Sequence, residues 1–281
     1  MTVSTVSTTA CILGEGAFWH PDRGSFLWFD ILGRRLYEAA PDGERHWSFD
    51  RCVSAAGRID RDRLLIATAT DLVQFDLETG AQDRLVALEA DNPATRSNDG
   101  RADPQGGFWI GTMGMRLEPG LGAIYRYYKG ELRRLYDRIS IPNAQCFSPD
   151  GGHAFFTDTP DRIIRRVALD RDGWPKAEPE PWIDLRDEAL NPDGAVIDAE
   201  GNLWNAQWGA GRVACHGPDG AFRHAVDLPA SQITCPAFGG ADLSTLYVTS
   251  AAEGLTDEPQ AGRTFAIQTE AKGQEEHRVI L

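Results

Sequence analysis

The sequence is short of basic residues. It has 28 Lys and Arg against 42 Asp and Glu, which gives a formal net charge of −14 and a pI near 4.8. Binding to nucleic acid needs clustered Lys and Arg that neutralise phosphates, so this balance excludes a generic polyanion-binding protein. The excess of carboxylates favours solubility and is compatible with holding a cation.

The sequence also lacks the marks of export and of membrane insertion. It has no apolar run of 18 residues, and its N-terminus has neither the basic region nor the long apolar core of a signal peptide. The cysteines are odd in number, scattered and without a C-x-x-C pair: Cys11, Cys52, Cys146, Cys215 and Cys235. We therefore expect reduced thiols in a cytoplasmic protein that has no membrane partner.

Several signatures of fold and chemistry are missing as well. No segment keeps a 3.6-residue apolar period over helical length. There is no G-x-S-x-G nucleophile elbow and no phosphate-binding G-x-x-x-x-G-K loop. The histidines show no metal-ligand spacing. A site in this protein must therefore be built from other residues.

What the chain does contain is a repeat. The clearest copy is the segment 191–201, in which a reference residue is followed five residues later by a polar turn and then by a short apolar run. Five further segments follow the same pattern, at spacings of 39 to 50 residues, two of them weakly. The six reference residues are Glu15, Ser54, Asn98, Asn143, Asp193 and Cys235.

The repeat predicts the fold. Each copy has short apolar runs joined by turns rich in Pro, Asp and Gly, which is typical of a four-stranded β-meander. Six such copies predict an all-β, six-bladed β-propeller with antiparallel blades, forming a single domain over residues 1–281. The apolar segments 3–6 and 278–281 are expected to share one blade and close the ring.

Four segments are longer than a hairpin needs, namely 89–97, 113–121, 187–192 and 251–262. Loops on a rigid scaffold are where sites are usually built. The tryptophans on predicted strands (Trp28, Trp109 and Trp204) are expected in the core, whereas Trp208 is a possible pocket wall.

The reference residues should converge in space, because the first strand of every propeller blade lines the central channel. Four of them carry oxygen: Glu15, Asn98, Asn143 and Asp193. Oxygen ligands suit a hard divalent cation such as Ca²⁺, Mg²⁺ or Mn²⁺, and two nearby carboxylates without a cation would repel each other. Asx turns at strand starts are the alternative explanation, but four such residues at the same position of the repeat favour a binding site. Arg96 either reaches into this site or is an exposed loop residue.

Short motifs extend this interpretation to a family. They are LGEG at 13–16, SNDG at 97–100, GTM at 111–113, IPN at 141–143, PDG at 192–194, GNLW at 201–204 and CPAFGG at 235–240. In order and spacing they resemble the gluconolactonase/regucalcin (senescence marker protein) family of six-bladed propeller lactonases. The segment NAQWG at 205–209 and the sixth blade are most similar to the bacterial pentonolactonases, the arabinolactonases and xylonolactonases.

The resemblance implies a role for five residues. It implies that Glu15, Asn143 and Asp193 bind one divalent metal ion (Ca, Zn, Mn, Mg or Fe), and that Asp193 is also the catalytic base. It implies that Arg96 and Asn98 contact the substrate. The implied reaction is hydrolysis of a sugar aldonolactone to the open-chain aldonate in oxidative sugar breakdown, by a carboxylic ester hydrolase that is a monomer or a weak homo-oligomer.

Two departures from the family pattern and three alternatives remain open at this stage. The family usually has Gly after the metal-binding Asn, where this chain has Ala144, and animal members place a substrate-contacting Glu where this chain has Arg116. Water activated by the metal itself is an alternative to Asp193 as the base. A non-catalytic calcium-binding or regulatory propeller is the second functional hypothesis, and another metal-dependent esterase with a more apolar mouth is the third.

Overall fold

The computed structural model describes residues 2–281 and contains six four-stranded antiparallel sheets, each of which is one blade. The predicted all-β, six-bladed architecture is confirmed. The only helix among the described residues is the short 3-10 helix Thr159–Asp161, and no helix there is long and apolar enough to cross a membrane.

The strands follow the order of the chain, with one exception at the closure. The outermost strand of the sixth blade is β1 (Val3–Ser7). Blade one contains β2 (Gly14–His20), β3 (Ser25–Asp30), β4 (Arg35–Ala40) and β5 (Gly43–Ser48). Blade two contains β6 (Val53–Arg58), β7 (Arg63–Thr68), β8 (Asp71–Asp76) and β9 (Gln82–Ala87). Blade three contains β10 (Thr95–Ala102), β11 (Phe108–Gly114), β12 (Gly122–Tyr128) and β13 (Glu131–Ile139). Blade four contains β14 (Pro142–Phe147), β15 (His153–Asp158), β16 (Ile163–Ala168) and β17 (Glu180–Asp184). Blade five contains β18 (Asn191–Ile197), β19 (Leu203–Trp208), β20 (Arg212–His216) and β21 (Phe222–Asp227). Blade six contains β22 (Ile233–Gly239), β23 (Thr245–Ser250) and β24 (Thr264–Gln268), together with β1.

The ring closes through the two ends of the chain. N-terminal β1 pairs with β24, the last strand, in the sheet order β1-β24-β23-β22. Closure by N- and C-terminal strands is therefore confirmed, but segment 278–281 is not the C-terminal partner. Because β1 already covers the edge of β24, this segment lies elsewhere. Its strand-like pairing among the described residues is limited to the isolated parallel bridge between Arg278 and Arg58.

The segment after β24 closes one end of the central channel. Gln274 Nε2 donates hydrogen bonds to the carbonyls of Phe147 (3.2 Å) and Ile197 (2.9 Å), which end the innermost strands of blades four and five. Ile280 N donates to Gly106 O in blade three at 2.8 Å. These contacts lie at the ends of the innermost strands opposite to the reference residues. The channel is therefore covered at that end.

Aliphatic and aromatic side chains fill the space between the blades. The predicted core tryptophans Trp28, Trp109 and Trp204 are all buried. All five cysteines are free and buried. The cysteines thus contribute to packing rather than to a disulfide framework, as the sequence predicted.

Every innermost strand is interrupted at its reference residue or directly after it. In all six blades the register between the first and second strands shifts there: between Glu15 and Phe18, Val53 and Ala55, Ser97 and Gly100, Asn143 and Cys146, Pro192 and Ala195, and Ile233 and Pro236. A β-bulge leaves a residue out of the ladder and redirects its side chain. The repeat therefore encodes an irregularity at the same end of every innermost strand. Ser54, Asn98, Asp193 and Cys235 fall within it, whereas Glu15 and Asn143 still pair with the second strand directly before it.

A fully buried ion pair anchors the third blade and predicts a large stability effect. The Asp103 carboxylate accepts from Arg126 Nε at 2.6 Å, and neither side chain is exposed. Removing one partner leaves an uncompensated buried charge, so Asp103→Ala should lower the free energy of unfolding by about 3–5 kcal/mol in urea titrations. The exposed pair Glu131–Arg133 is the control, and Glu131→Ala should cost far less stability than Asp103→Ala because solvent screens the exposed pair. Equal losses in the two variants would contradict this account.

Candidate active site

One cavity of about 320 Å³ lies at the end of the channel where the innermost strands begin. All five residues predicted for the site line it: Glu15, Arg96, Asn98, Asn143 and Asp193. Trp208, predicted as a possible wall, lines it too. Each of the four long segments also contributes a lining residue, respectively Arg96, Met113, Asn191 and Glu253.

The polar side chains on one side of the cavity form a continuous chain of hydrogen bonds. Arg96 Nη1 donates to Asn98 Oδ1 at 2.9 Å, and Asn98 Nδ2 donates to Asn143 Oδ1 at 3.2 Å. Asn143 Nδ2 in turn donates to Thr159 Oγ1 at 3.0 Å, whose hydroxyl donates to the Pro192 carbonyl at 2.8 Å. Asn98 thereby orients the amide of Asn143, and one lone pair of Asn143 Oδ1 is left for another partner.

The two predicted carboxylates are buried and poorly satisfied. Glu15 accepts one hydrogen bond, from Gly16 N at 3.2 Å. Asp193 is buried, and its Oδ1 has no hydrogen-bond partner among the described residues. Its backbone is held by Asn205, whose Nδ2 donates to the Asp193 carbonyl at 3.0 Å. An unpartnered buried carboxylate oxygen is costly, and a ligand that supplies positive charge would offset that cost.

The electrostatics of the cavity also favour a ligand that supplies positive charge. Burial, followed by repulsion from Asp99, raises the pKa of Glu15 from 4.5 to about 8. Burial and then the charges of Glu15 and Asp99 raise the pKa of Asp193 well above its usual value. Asp99 itself accepts from the backbone N–H groups of Gly100 and Gln145 (both 2.9 Å), and burial raises its pKa too. Burial thus disfavours the charged forms of all three acidic groups, and a bound cation would offset this cost.

These observations fit a divalent cation held by oxygen. Glu15 and Asp193 supply carboxylates, Asn143 supplies an oriented amide oxygen, and hard cations take such ligands. No group of three His, Cys, Asp or Glu side chains in residues 2–281 is arranged to hold a metal. An amide oxygen is therefore needed to complete a three-residue ligand set.

Arg96 is a buried side chain of the cavity rather than an exposed loop residue. Its Nη1 also donates to the Ser97 carbonyl at 2.9 Å. Burial lowers its pKa, while the charges of Glu15 and Glu253 act in the opposite direction. The guanidinium is thus positioned beside Asn98 within the cavity.

The family departure at position 144 leaves the local backbone geometry intact. Ala144 is buried and has φ of +57°, the same value as Gly16 after Glu15. A non-glycine residue in this left-handed region bears strain of about 1–2 kcal/mol. The chain adopts the glycine-type conformation after Asn143 at this cost.

The second departure from the family pattern, Arg116, lies outside the cavity. Arg116 is exposed and does not line the cavity, and its backbone N–H donates to Glu118 Oε2 at 2.9 Å. Met115 and Leu121 do not line the cavity, but a large part of its lining is apolar: Leu13, Met113, Leu117, Ile141, Pro160 and Trp208. The lining residues Thr159 and Glu253 were not singled out from the sequence.

A second cavity, of about 420 Å³, lies on the outer flank between blades one and two. Its central carboxylate, Glu38, already accepts from Ser25 Oγ (2.6 Å), Arg23 Nε (2.9 Å) and Arg45 Nε (2.7 Å). Its charge is therefore paired within the protein, and this cavity is a structural ion-pair network.

Comparison with known proteins decides the family. The model of the SMP-30/gluconolactonase/LRE-like region matches residues 13–252. The chain belongs to this family. An SMP-30-like member of known structure, from Agrobacterium tumefaciens and described as a calcium-binding protein, regucalcin, has a TM-score of 0.96 at 41% identity over 99% of this chain and 97% of that one.

Two named relatives are lactonases. The L-arabinolactonase of Azospirillum brasilense is 37% identical over 95% of this chain and 92% of its own length. The pentonolactonase XacC of Haloferax volcanii is 33% identical over 99% and 98%. The predicted family is confirmed, and so is the enzyme class, a lactone-hydrolysing ester hydrolase.

Proposed function

We propose that this SMP-30/gluconolactonase-like protein hydrolyses a sugar aldonolactone, a pentono- or hexonolactone, to the open aldonate with the aid of one divalent cation. The observation that carries the proposal is the pair of buried carboxylates, Glu15 and Asp193, which face one cavity with an unpartnered oxygen on Asp193. The lactonase names of the relatives support the substrate class.

The cation would be held by Glu15, Asn143 and Asp193. When bound there, it would polarise an ester carbonyl and stabilise negative charge that develops on its oxygen. Calcium is the leading candidate because the structural relative from Agrobacterium tumefaciens is described as calcium-binding. The oxygen ligands are equally compatible with magnesium or manganese.

The residues of the chain supply the remaining steps. Arg96 would donate hydrogen bonds to the lactone and help to fix its ester group over the carboxylates. Asn98 already donates both amide N–H groups, to Pro142 O and Asn143 Oδ1, so it would accept a hydrogen bond from a lactone hydroxyl through Oδ1. Asp193 would accept a proton from water as the water oxygen bonds to the carbonyl carbon. The bond between that carbon and the ring oxygen then breaks, and Asp193 returns the proton to the ring oxygen. The unpartnered Oδ1 of Asp193 is free to accept this proton.

The shape of the cavity suits one sugar ring. Its volume of about 320 Å³ lies at the low end of the 300–1,000 Å³ that is typical of small-molecule pockets. Trp208 lines the cavity together with the polar groups, and a sugar has both apolar C–H faces and polar edges. These features favour a monosaccharide lactone over a large ester.

A panel of neutral pentono- and hexonolactones tests the proposal. With each candidate cation present, the protein should open at least one lactone far faster than the spontaneous reaction, with kcat/KM in the range of about 10⁴–10⁸ M⁻¹s⁻¹ that is usual for enzymes. The regulatory alternative predicts tight calcium binding, measured by calorimetry, without acceleration of any lactone. That pattern would overturn the catalytic proposal.

A further inference from the structure

The mouth of the cavity carries an acidic side chain that the repeat does not explain. Glu253 lies between β23 and β24, is exposed, and lines the cavity together with Arg96 and Trp208. Within residues 2–281 its carboxylate makes no hydrogen bond or ion pair, and the contacts of Glu253 come from its backbone. The carboxylate is therefore available to a ligand.

The backbone beneath Glu253 is fixed rather than loose. Glu253 N donates to Ile12 O at 3.0 Å, and Gln232 Nε2 donates to the Glu253 carbonyl at 3.2 Å. Further along the segment, the Glu258 carboxylate accepts from Ser231 N (2.9 Å) and Ser231 Oγ (2.7 Å). A side chain on such an anchored backbone has a defined place at the rim.

The distribution of charges in the cavity separates Glu253 from the inner carboxylates. Four charged side chains line it: Glu15, Arg96, Asp193 and Glu253. A divalent cation would balance Glu15 and Asp193, which leaves Arg96 inside and Glu253 at the mouth. Burial lowers the pKa of Arg96, and the charge of Glu253 is close enough to offset part of that shift. A lactone held by its ester over the inner carboxylates would present its far end to Glu253.

We infer that Glu253 determines substrate specificity by accepting hydrogen bonds from hydroxyls at the far end of the lactone and by repelling an anionic group there. This inference rests on the proposed function and narrows it to neutral polyhydroxy lactones. Lactones with a phosphate, sulfonate or carboxylate at that end would place two negative charges together at the mouth, which costs binding energy.

The test compares two substrates and two variants. The substrates are a neutral hexonolactone and the same lactone with a phosphate on its terminal carbon. The wild type should prefer the neutral lactone, and Glu253→Gln should raise kcat/KM for the phosphorylated lactone relative to the neutral one by roughly tenfold, the scale of one like-charge contact. Asp257→Asn is the matched control, because Asp257 is exposed in the same segment and does not line the cavity.

Salt provides a second readout that a purely structural role would not change. Ions screen exposed charges, so the preference of the wild type for the neutral lactone should shrink as ionic strength rises, and that of Glu253→Gln should change less. An unchanged preference in Glu253→Gln, or an equal change in Asp257→Asn, overturns the inference while the proposed function stands. If the wild type opens none of the neutral pentono- and hexonolactones, the proposed function fails and the inference fails with it.

Discussion

Replacing Asp193 with Asn is expected to lower kcat/KM for a neutral aldonolactone by about 10³-fold or more. The substitution removes a proton acceptor, which is typically worth about 10²–10⁴-fold, and it also weakens the cation site. Asn has nearly the shape of Asp, so the buried position stays filled and the fold should persist. Steady-state kinetics with saturating cation, corrected for spontaneous ring opening, measure the effect.

The repeat offers a matched control for this variant. Ser54 occupies the same phase in the second blade and is buried, but it does not line the cavity. Ser54→Ala should therefore retain activity within about twofold. If Asp193→Asn keeps near wild-type turnover and only binds the cation more weakly, Asp193 is a cation ligand and not the base, and the proposed proton transfer is wrong.

Without a cation, the protein is expected to lose stability as the pH rises from about 4.5 to 8. The folded-state pKa of Glu15 is raised from 4.5 to about 8, and that of Asp193 is raised as well. The folded state then holds more protons than the unfolded state. The stabilisation from these bound protons is complete below the unfolded-state pKa and is lost as the pH rises through the folded-state pKa. Urea unfolding in a chelator at pH 6.5 and pH 8 measures the loss.

Glu15→Gln separates this effect from other titrating groups. Buried histidines such as His20 and His216 have lowered pKa values and act in the opposite direction, mainly below their usual pKa of 6.5. They are the same in both proteins, so the difference in unfolding free energy between Glu15→Gln and wild type isolates Glu15. As the pH rises towards 8, the unfolding free energy of Glu15→Gln should increase relative to that of wild type by up to about 1.4 kcal/mol for each pH unit. A constant difference, or one that saturating cation leaves in place, contradicts a cation site at Glu15.

The repeat made the centre of the site predictable. Blades of a propeller are related by rotation about the channel, so an equal phase in the sequence becomes an equal height in the channel. This is why Glu15, Asn98, Asn143 and Asp193, far apart in the chain, line one cavity. Their roles in binding and catalysis remain predictions until they are measured.

The parts of the structure without a repeat could not be predicted in this way. Glu253 and Thr159 come from connecting segments, whose course depends on tertiary contacts such as those of Ile12 and Gln232. The segment 278–281 has the apolar character of an edge strand, and it was wrongly expected to close the ring. Val279 instead packs in the core beside blades two and three, because β1 occupies the free edge.

Titration of a divalent cation into chelator-stripped protein, with turnover of a neutral aldonolactone measured at each step, tests the central claim most directly. The account predicts almost no hydrolysis above the spontaneous rate at the start, and full recovery when one cation per chain is bound, as counted by calorimetry. Hydrolysis by the stripped protein at the full rate of the cation-loaded protein would contradict it.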